Sequence, residues 1–150
     1  MAGSSVTAEI DIAATPQEVW DLVMDAERTH EWVTISRGVT RFDPLPLRPG
    51  WEMEQRLNIR GVTITVEWKL VEVRPPFKAV YEGRGPARAK AKIINELTER
   101  DDGGTHFHYV NEFKAPLGPL GAVASKVMVG GVPQKEADAS LAKAKALLEG

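Results

Sequence analysis

Near the start of the chain, Val6, Ala8, Ile10 and Ile12 alternate with Thr7, Glu9 and Asp11. Successive side chains of a strand point to opposite faces, so this period of two predicts a half-buried β-strand. The pattern then breaks. Thr15 and Glu18 make a T-x-x-E capping box with Pro16 at the first helical position, which predicts a helix from Pro16 to about Asp25. Its apolar side carries Val19, Trp20, Val23 and Met24. A second short helix is expected over Ala26–Glu31, delivering Trp32.

From Ile35 onward the pattern predicts a meander of antiparallel strands. Trp51–Ile59 and Val62–Val73 form the best-specified hairpin, turning at Arg60-Gly61. In that register Met53 faces Trp68, Gln55 faces Val66 and Leu57 faces Ile64, while Glu52 and Arg56 meet Lys69 and Thr65 on the other face. Charges therefore fall on the wet side. The next turn, at Arg74-Pro75-Pro76, sets Glu67 against Arg84, Lys69 against Glu82 and Leu70 against Tyr81. A third hairpin turns at Asp101-Asp102-Gly103-Gly104. Ala89, Ala91, Ile93, Asn95 and Leu97 then share a face with Phe107, Tyr109, Asn111 and Phe113.

The last third is helical in spacing. Leu120, Val123, Ala124, Val127 and Met128 make one apolar stripe, and Ala137, Leu141, Ala144 and Leu148 resume it over Gln134–Glu149. Gly130-Gly131-Val132-Pro133 between them should kink or break the helix. The element order is one strand, two short helices, about six strands and one long or broken helix. That is an α+β chain, expected to fold as a single domain over residues 1–150.

Composition narrows the function. With 19 basic and 21 acidic residues the net charge is −2, which gives no overall attraction to nucleic acid or an anionic membrane. Cysteine is absent, which excludes disulfides, thiolate metal sites and cysteine nucleophiles. No stretch approaches the ~18 apolar residues of a membrane span, and no leader pattern opens the chain. A soluble, cytoplasmic protein without membrane insertion is expected. Four tryptophans, Trp20, Trp32, Trp51 and Trp68, stand against only two tyrosines.

Candidate chemistry is sparse. His106-x-His108 places two rings on one strand face, with Glu112 further along and Glu96 opposite His108. This reads as exposed imidazoles with a cross-strand carboxylate, and no metal site is expected. Arg84, Arg88, Lys90 and Lys92 cluster, the last three on one strand face, with Glu82 expected beside Arg88 or Lys90 and Glu67 beside Arg84, a solvated outer face in preference to a nucleic-acid site. Hydrolase, zinc-peptidase, phosphate-loop and dinucleotide motifs are all missing, so no cofactor is expected.

The opening V-T-A-E-I-D-I-A-A-T-P-Q-E-V-W-D-L-V-M-D-A-E-R-T-H-E-W resembles the signature of the polyketide cyclase/dehydrase and lipid-transport family, within the START-like and pollen-allergen-like SRPBCC superfamily. The matching positions are Pro16, Val19, Trp20 and Trp32. The G-G-T at Gly103–Thr105 and the L-x-x-L-G lead-in to the last helix also fit. The resemblance implies a helix-grip fold, a curved antiparallel sheet of about seven strands around a long C-terminal helix, enclosing a hydrophobic cavity. The Gly130–Pro133 interruption departs from the usual continuous helix.

Within such a fold, the expected ligand-binding wall comprises Trp20, Trp32, Trp51, Met53, Trp68, Tyr81, Tyr109, Phe113, Val127 and Met128. Gln55, Asn95 and Asn111 join them as inward polar groups that a dry core would not ask for. The first functional expectation is a carrier or binder of a small hydrophobic, lipid-like or polyketide-like molecule. The second is an aromatase/cyclase acting on a poly-β-keto chain, for which Tyr81, Tyr109, His30 and Arg37 are the catalytic candidates. A co-chaperone-like interaction module ranks third.

Overall fold

The computed structural model describes residues 4–59, 61–114, 118 and 132–150. Strand β1 (Ser4–Ile12) leads into α1 (Pro16–Val23), a 3-10 turn over Ala26–Arg28 and the short α2 (Thr29–Trp32). Six strands follow: β2 (Ser36–Phe42), β3 (Glu52–Ile59), β4 (Val62–Arg74), β5 (Lys78–Arg84), β6 (Lys90–Glu99) and β7 (Thr105–Lys114). Helix α3 (Val132–Glu149) completes the described chain. The capping box forms as expected: Thr15 accepts from the Glu18 backbone N–H, and the Glu18 carboxylate accepts from the Thr15 backbone N–H. Helix α1 ends at Val23, two residues before the expected boundary.

The seven strands form one antiparallel sheet in the order β1-β7-β6-β5-β4-β3-β2. The first two hairpin registers are those expected from the alternation, including Met53 opposite Trp68 and Leu70 opposite Tyr81, and the third keeps the expected shared face, with Asn95 opposite Tyr109. A bulge near Val71 shifts the far end of the β4–β5 ladder by one residue. Glu82 faces Lys92, and Arg84 faces Lys90, so the expected pairing of Glu82 with Arg88 or Lys90 is corrected. The cause is local: Pro86–Arg88 coil into a 3-10 turn with Ala87 and Arg88 at positive φ, which takes Arg88 off the strand.

β1 pairs with β7 and is an edge strand, and α3 lies along it while also touching α1 and α2. The helix answers the edge directly. Gln134 Nε2 donates to the Thr7 carbonyl at 2.9 Å and Lys145 Nζ to the Asp11 carbonyl at 2.7 Å. Glu149 accepts from the Ala13 backbone N–H at 2.8 Å. Pairing free edge groups in this way blunts edge-to-edge association. Ala137, Leu141 and Ala144 turn the apolar stripe of α3 into the core, against β1, α1 and α2. The expected helix over Leu120–Val129, the two glycines Gly130 and Gly131, and residue Arg60 of the first turn lie outside the described residues. Pro133 falls in the first turn of α3, where its missing N–H costs no helical bond. No helix among the described residues is long and apolar enough to cross a membrane.

The β1–β7 seam carries a charged cluster on its outer face. His106 Nδ1 lies 2.7 Å from Asp11 and its Nε2 3.2 Å from Glu9, and His108 stands between Glu9 and Glu96. The bond to Asp11, then that to Glu9, raises the His106 pKa above its ordinary 6.5, whereas the bond from His106, opposed by partial burial and aided by Arg100, lowers that of Asp11. A raised imidazole contributes stability that is fully present below its unfolded value and lost as pH rises through the folded one. The lowered Asp11 contributes above its own unfolded value and loses this contribution in acid. Wild type should therefore melt above His106→Gln at about pH 5.5, with the gap closing toward about pH 8.5. Thermal melts across that range check this; a gap that does not vary with pH contradicts it.

Candidate functional site

Between the concave face of the sheet and the helices lies a cavity of about 280 Å³. Its origin is visible in the cross-strand rows. Ala8, Tyr109, Asn95 and Ala79 form one row across β1, β7, β6 and β5; Phe113, Ala91, Gly83 and Trp68 form another across β7, β6, β5 and β4. Alanines and a glycine stand beside the rings of Tyr109, Phe113 and Trp68 in these rows, which leaves space over the sheet. Tyr109, Ile93, Asn111 and Phe113 point inward yet remain half-buried, because the surface they expose faces the cavity.

Most of the expected wall residues that are described lie there. Trp32, Met53, Gln55, Trp68, Tyr81, Asn95, Tyr109, Asn111 and Phe113 all line the space. Trp20 and Trp51 do not. Trp20 is packed into the core one turn before Met24, and it is Val23 at the end of α1 and the following Met24 that reach the wall. Trp51 is held under the β2–β3 connection: its indole Nε1 donates to the Asp43 carbonyl at 2.9 Å and its ring packs on Phe42 at 6.3 Å. The expectation that the four rings meet on one cavity is thus corrected to two, Trp32 and Trp68. Val127 and Met128 lie outside the described residues. His30 and Arg37 are both exposed and absent from the wall, the first on the outer side of α2 and the second on the outward-facing side of β2.

The inward polar groups divide into two kinds. Gln55 is fully engaged: Trp68 Nε1 donates to its Oε1 at 2.9 Å, and its Nε2 donates to Ser36 Oγ at 3.0 Å. It fixes the Trp68 ring, which meets Tyr81 edge-on at 6.3 Å. Gln55→Leu should leave the buried indole N–H without an acceptor and destabilise the fold by ~1–3 kcal/mol, read as a lower midpoint in urea. An unchanged midpoint would contradict this structural role. Asn95 Oδ1, Asn111 Oδ1 and Trp32 Nε1, by contrast, are buried without a hydrogen-bond partner among the described residues. All three belong to wall residues.

Burial raises the Tyr81 phenol strongly and pushes Tyr109 up to about 12, the latter partly offset by Asn111. Both therefore stay protonated near neutral pH. Tyr81 Oη donates to Met24 Sδ at 3.8 Å. The wall also holds residues that sequence reasoning missed. Glu136 on α3 accepts from Thr34 Oγ1, and Ser140 Oγ accepts from the Thr34 backbone N–H at 3.1 Å. Their signal was present: Glu136 and Ser140 sit four apart, flanking one side of the Ala137–Leu141–Ala144 stripe. Lys90 and Lys114 stand at the ends of β6 and β7 and also border the cavity. Among the described residues no group of three or more His, Asp or Glu side chains is placed to hold a metal.

Known proteins share this architecture. The model of a family described as polyketide cyclase / dehydrase and lipid transport matches residues 4–149. A Mycobacterium tuberculosis protein named Toxin Rv0910 is 25% identical over 126 residues, covering 83% of this chain and 88% of its own. Among solved structures, the ZhuI aromatase/cyclase of Streptomyces sp. R1128 superposes with a TM-score of 0.78 at 14% identity, covering 98% of this chain and 94% of that one. A START superfamily protein of Mycobacterium smegmatis gives 0.73 at 16% identity, covering 97% of each chain. These two likenesses show the helix-grip fold.

Proposed function

The chain belongs to the polyketide cyclase/dehydrase and lipid transport family, and from that premise we propose that its cavity binds one small, largely apolar molecule bearing a few oxygen functions. The observation that carries this reading is the coincidence of an apolar cavity with three unpartnered buried polar atoms on its wall. Each such atom costs ~1–3 kcal/mol when left unpaired. A hydroxyl presented to Asn95 or Asn111 and an acceptor presented to the Trp32 indole would recover part of that cost. Apolar burial, at ~25 cal/mol per Å², would supply most of the affinity. The binding role is carrying or sequestering this molecule.

A second reading, cyclisation of a short poly-β-keto chain, draws support from Glu136. Tyr81 and Tyr109, held protonated, can donate hydrogen bonds to an enolate but cannot take its proton; a wall carboxylate can. In this reading Glu136 accepts the proton and the cavity folds the chain. Native mass spectrometry of freshly purified protein, with tryptophan-fluorescence titration by 2-naphthol, tests the first reading. A retained small mass, or saturable 1:1 quenching through Trp32 and Trp68, supports it; neither signal contradicts it. Product release from a poly-β-keto thioester that is lost in Glu136→Gln would favour the second.

A further inference from the structure

The outer face of the sheet carries two neighbouring rows of charge built in opposite ways. In one, Glu52, Lys69, Glu82, Lys92 and Glu112 alternate in sign from β3 to β7, each facing its opposite across the ladder. Opposite charges in cross-strand pairs stabilise a sheet, so this row neutralises itself. In the next row toward the cavity mouth, Glu54 and Glu67 are followed by Arg84, Lys90 and Lys114. Three cations thus lie side by side on β5, β6 and β7 at the ~4.8 Å strand spacing, an arrangement that destabilises a sheet.

Among the described residues Glu67 faces Arg84 in this row, but no carboxylate faces Lys90 or Lys114 across the ladder. No ion pair among the described residues involves Arg84, Lys90 or Lys114. The residues outside the described set contain no aspartate or glutamate to supply one. Lys90 and Lys114, facing each other across β6 and β7, are also the cations that border the cavity. Glu136, the carboxylate on the wall, is engaged by Thr34 and pairs with neither lysine. Beyond Lys90 and Lys114 the inward face of β6 and β7 lines the cavity with Ala91 and Phe113, then Ile93 and Asn111, then Asn95 and Tyr109.

We infer that the cavity takes a single-tailed amphiphile whose anionic head, a carboxylate or a phosphate monoester, sits between Lys90 and Lys114 while its tail runs inward. The inference rests on the cavity-binding reading above and adds the charge and polarity of the ligand. An anion at that point neutralises the crowded end of the row, and charge-assisted hydrogen bonds from two ammonium groups hold it. The apolar tail lies against the apolar lining of the cavity. The uneven row is then the sheet's contribution to ligand selection.

Calorimetric titration of the full chain with decanoate, decyl phosphate and decanol tests this. Both anions are expected to bind 1:1 and roughly fivefold tighter than the alcohol, as befits partly exposed charge pairs. The double variant Lys90→Gln/Lys114→Gln should bring both anions down to the affinity of decanol and leave decanol unchanged, and added salt should narrow the same gap in wild type. Both lysines are exposed, and removing their repulsion should hold or raise the thermal midpoint, which reports that the variant folds. Equal affinities for acid and alcohol, or an anion preference that survives in the double variant, overturn the inference and leave the cavity reading standing. Failure of all three to bind contradicts the cavity reading itself and the inference with it.

Discussion

Trp51→Ala should be among the most destabilising single substitutions in this protein, lowering stability by ~3–5 kcal/mol without altering affinity for a cavity ligand. Trp51 is 2% exposed, donates its indole N–H to the Asp43 carbonyl and packs on Phe42, all beneath the β2–β3 connection. Truncation removes a large buried surface and leaves a buried carbonyl without its donor. It also loosens the connection, whose Gly50 N–H and Asp43 N–H bond to the Leu70 and Glu52 carbonyls. The thermal midpoint should fall by roughly 2–4 °C for each kcal/mol in a chain of this length. Trp32→Phe provides the contrast. It keeps most of the ring contact with Phe107 but deletes the unpartnered donor on the wall, so it should weaken ligand binding at little cost to stability. Paired melts and titrations of the two variants check both halves; a ligand-affinity loss in Trp51→Ala as large as in Trp32→Phe would contradict the division.

Gly83→Ala should cost ~1–3 kcal/mol by overpacking and should also reshape the cavity. A β-carbon at Gly83 would lie 2.5 Å from the six-membered ring of Trp68, closer than real carbon contacts allow. The ring cannot swing away cheaply, because Gln55 holds its N–H and Tyr81 stands against its edge. The missing side chain on β5 is therefore what lets Trp68 lie flat across the sheet beside the cavity. Gly83→Ala forces the ring inward or breaks its bond to Gln55, so ligand affinity should fall together with stability. A variant that melts like wild type and binds normally would show that Trp68 is free to move.

Much of the fold was legible because its contacts are local. The first two hairpin registers follow from period-two alternation and a short turn, and Met53–Trp68 and Leu70–Tyr81 fall where that alternation puts them, while for the third hairpin the alternation fixes the face. The β1–β7 seam joins the first strand to the last, and no local pattern announces it. For that reason the partners of His106 are Asp11 and Glu9, residues almost a hundred positions away, as well as the strand-mate relation of Glu96 to His108. The site was less legible than the fold. Trp51 and Trp68 share one strand-face pattern, yet one is sealed by a loop and the other borders open space. Burial periodicity cannot separate packed core from cavity wall, since both demand apolar side chains. Gln55 and Asn95 show the same degeneracy among polar residues: both point inward, but only one finds partners.

The four tryptophan indole N–H groups offer the most direct test of the central claim, that an apolar ligand enters the cavity bounded by Trp32 and Trp68. In a proton–nitrogen correlation spectrum followed during titration with 2-naphthol, the Trp32 indole should move furthest, as its free N–H gains an acceptor. Trp68 should move less, since its N–H already bonds to Gln55, while Trp20 and Trp51 hold their positions. Four unmoved indoles at saturating ligand, or shifts of Trp20 and Trp51 as large as that of Trp32, would contradict the account.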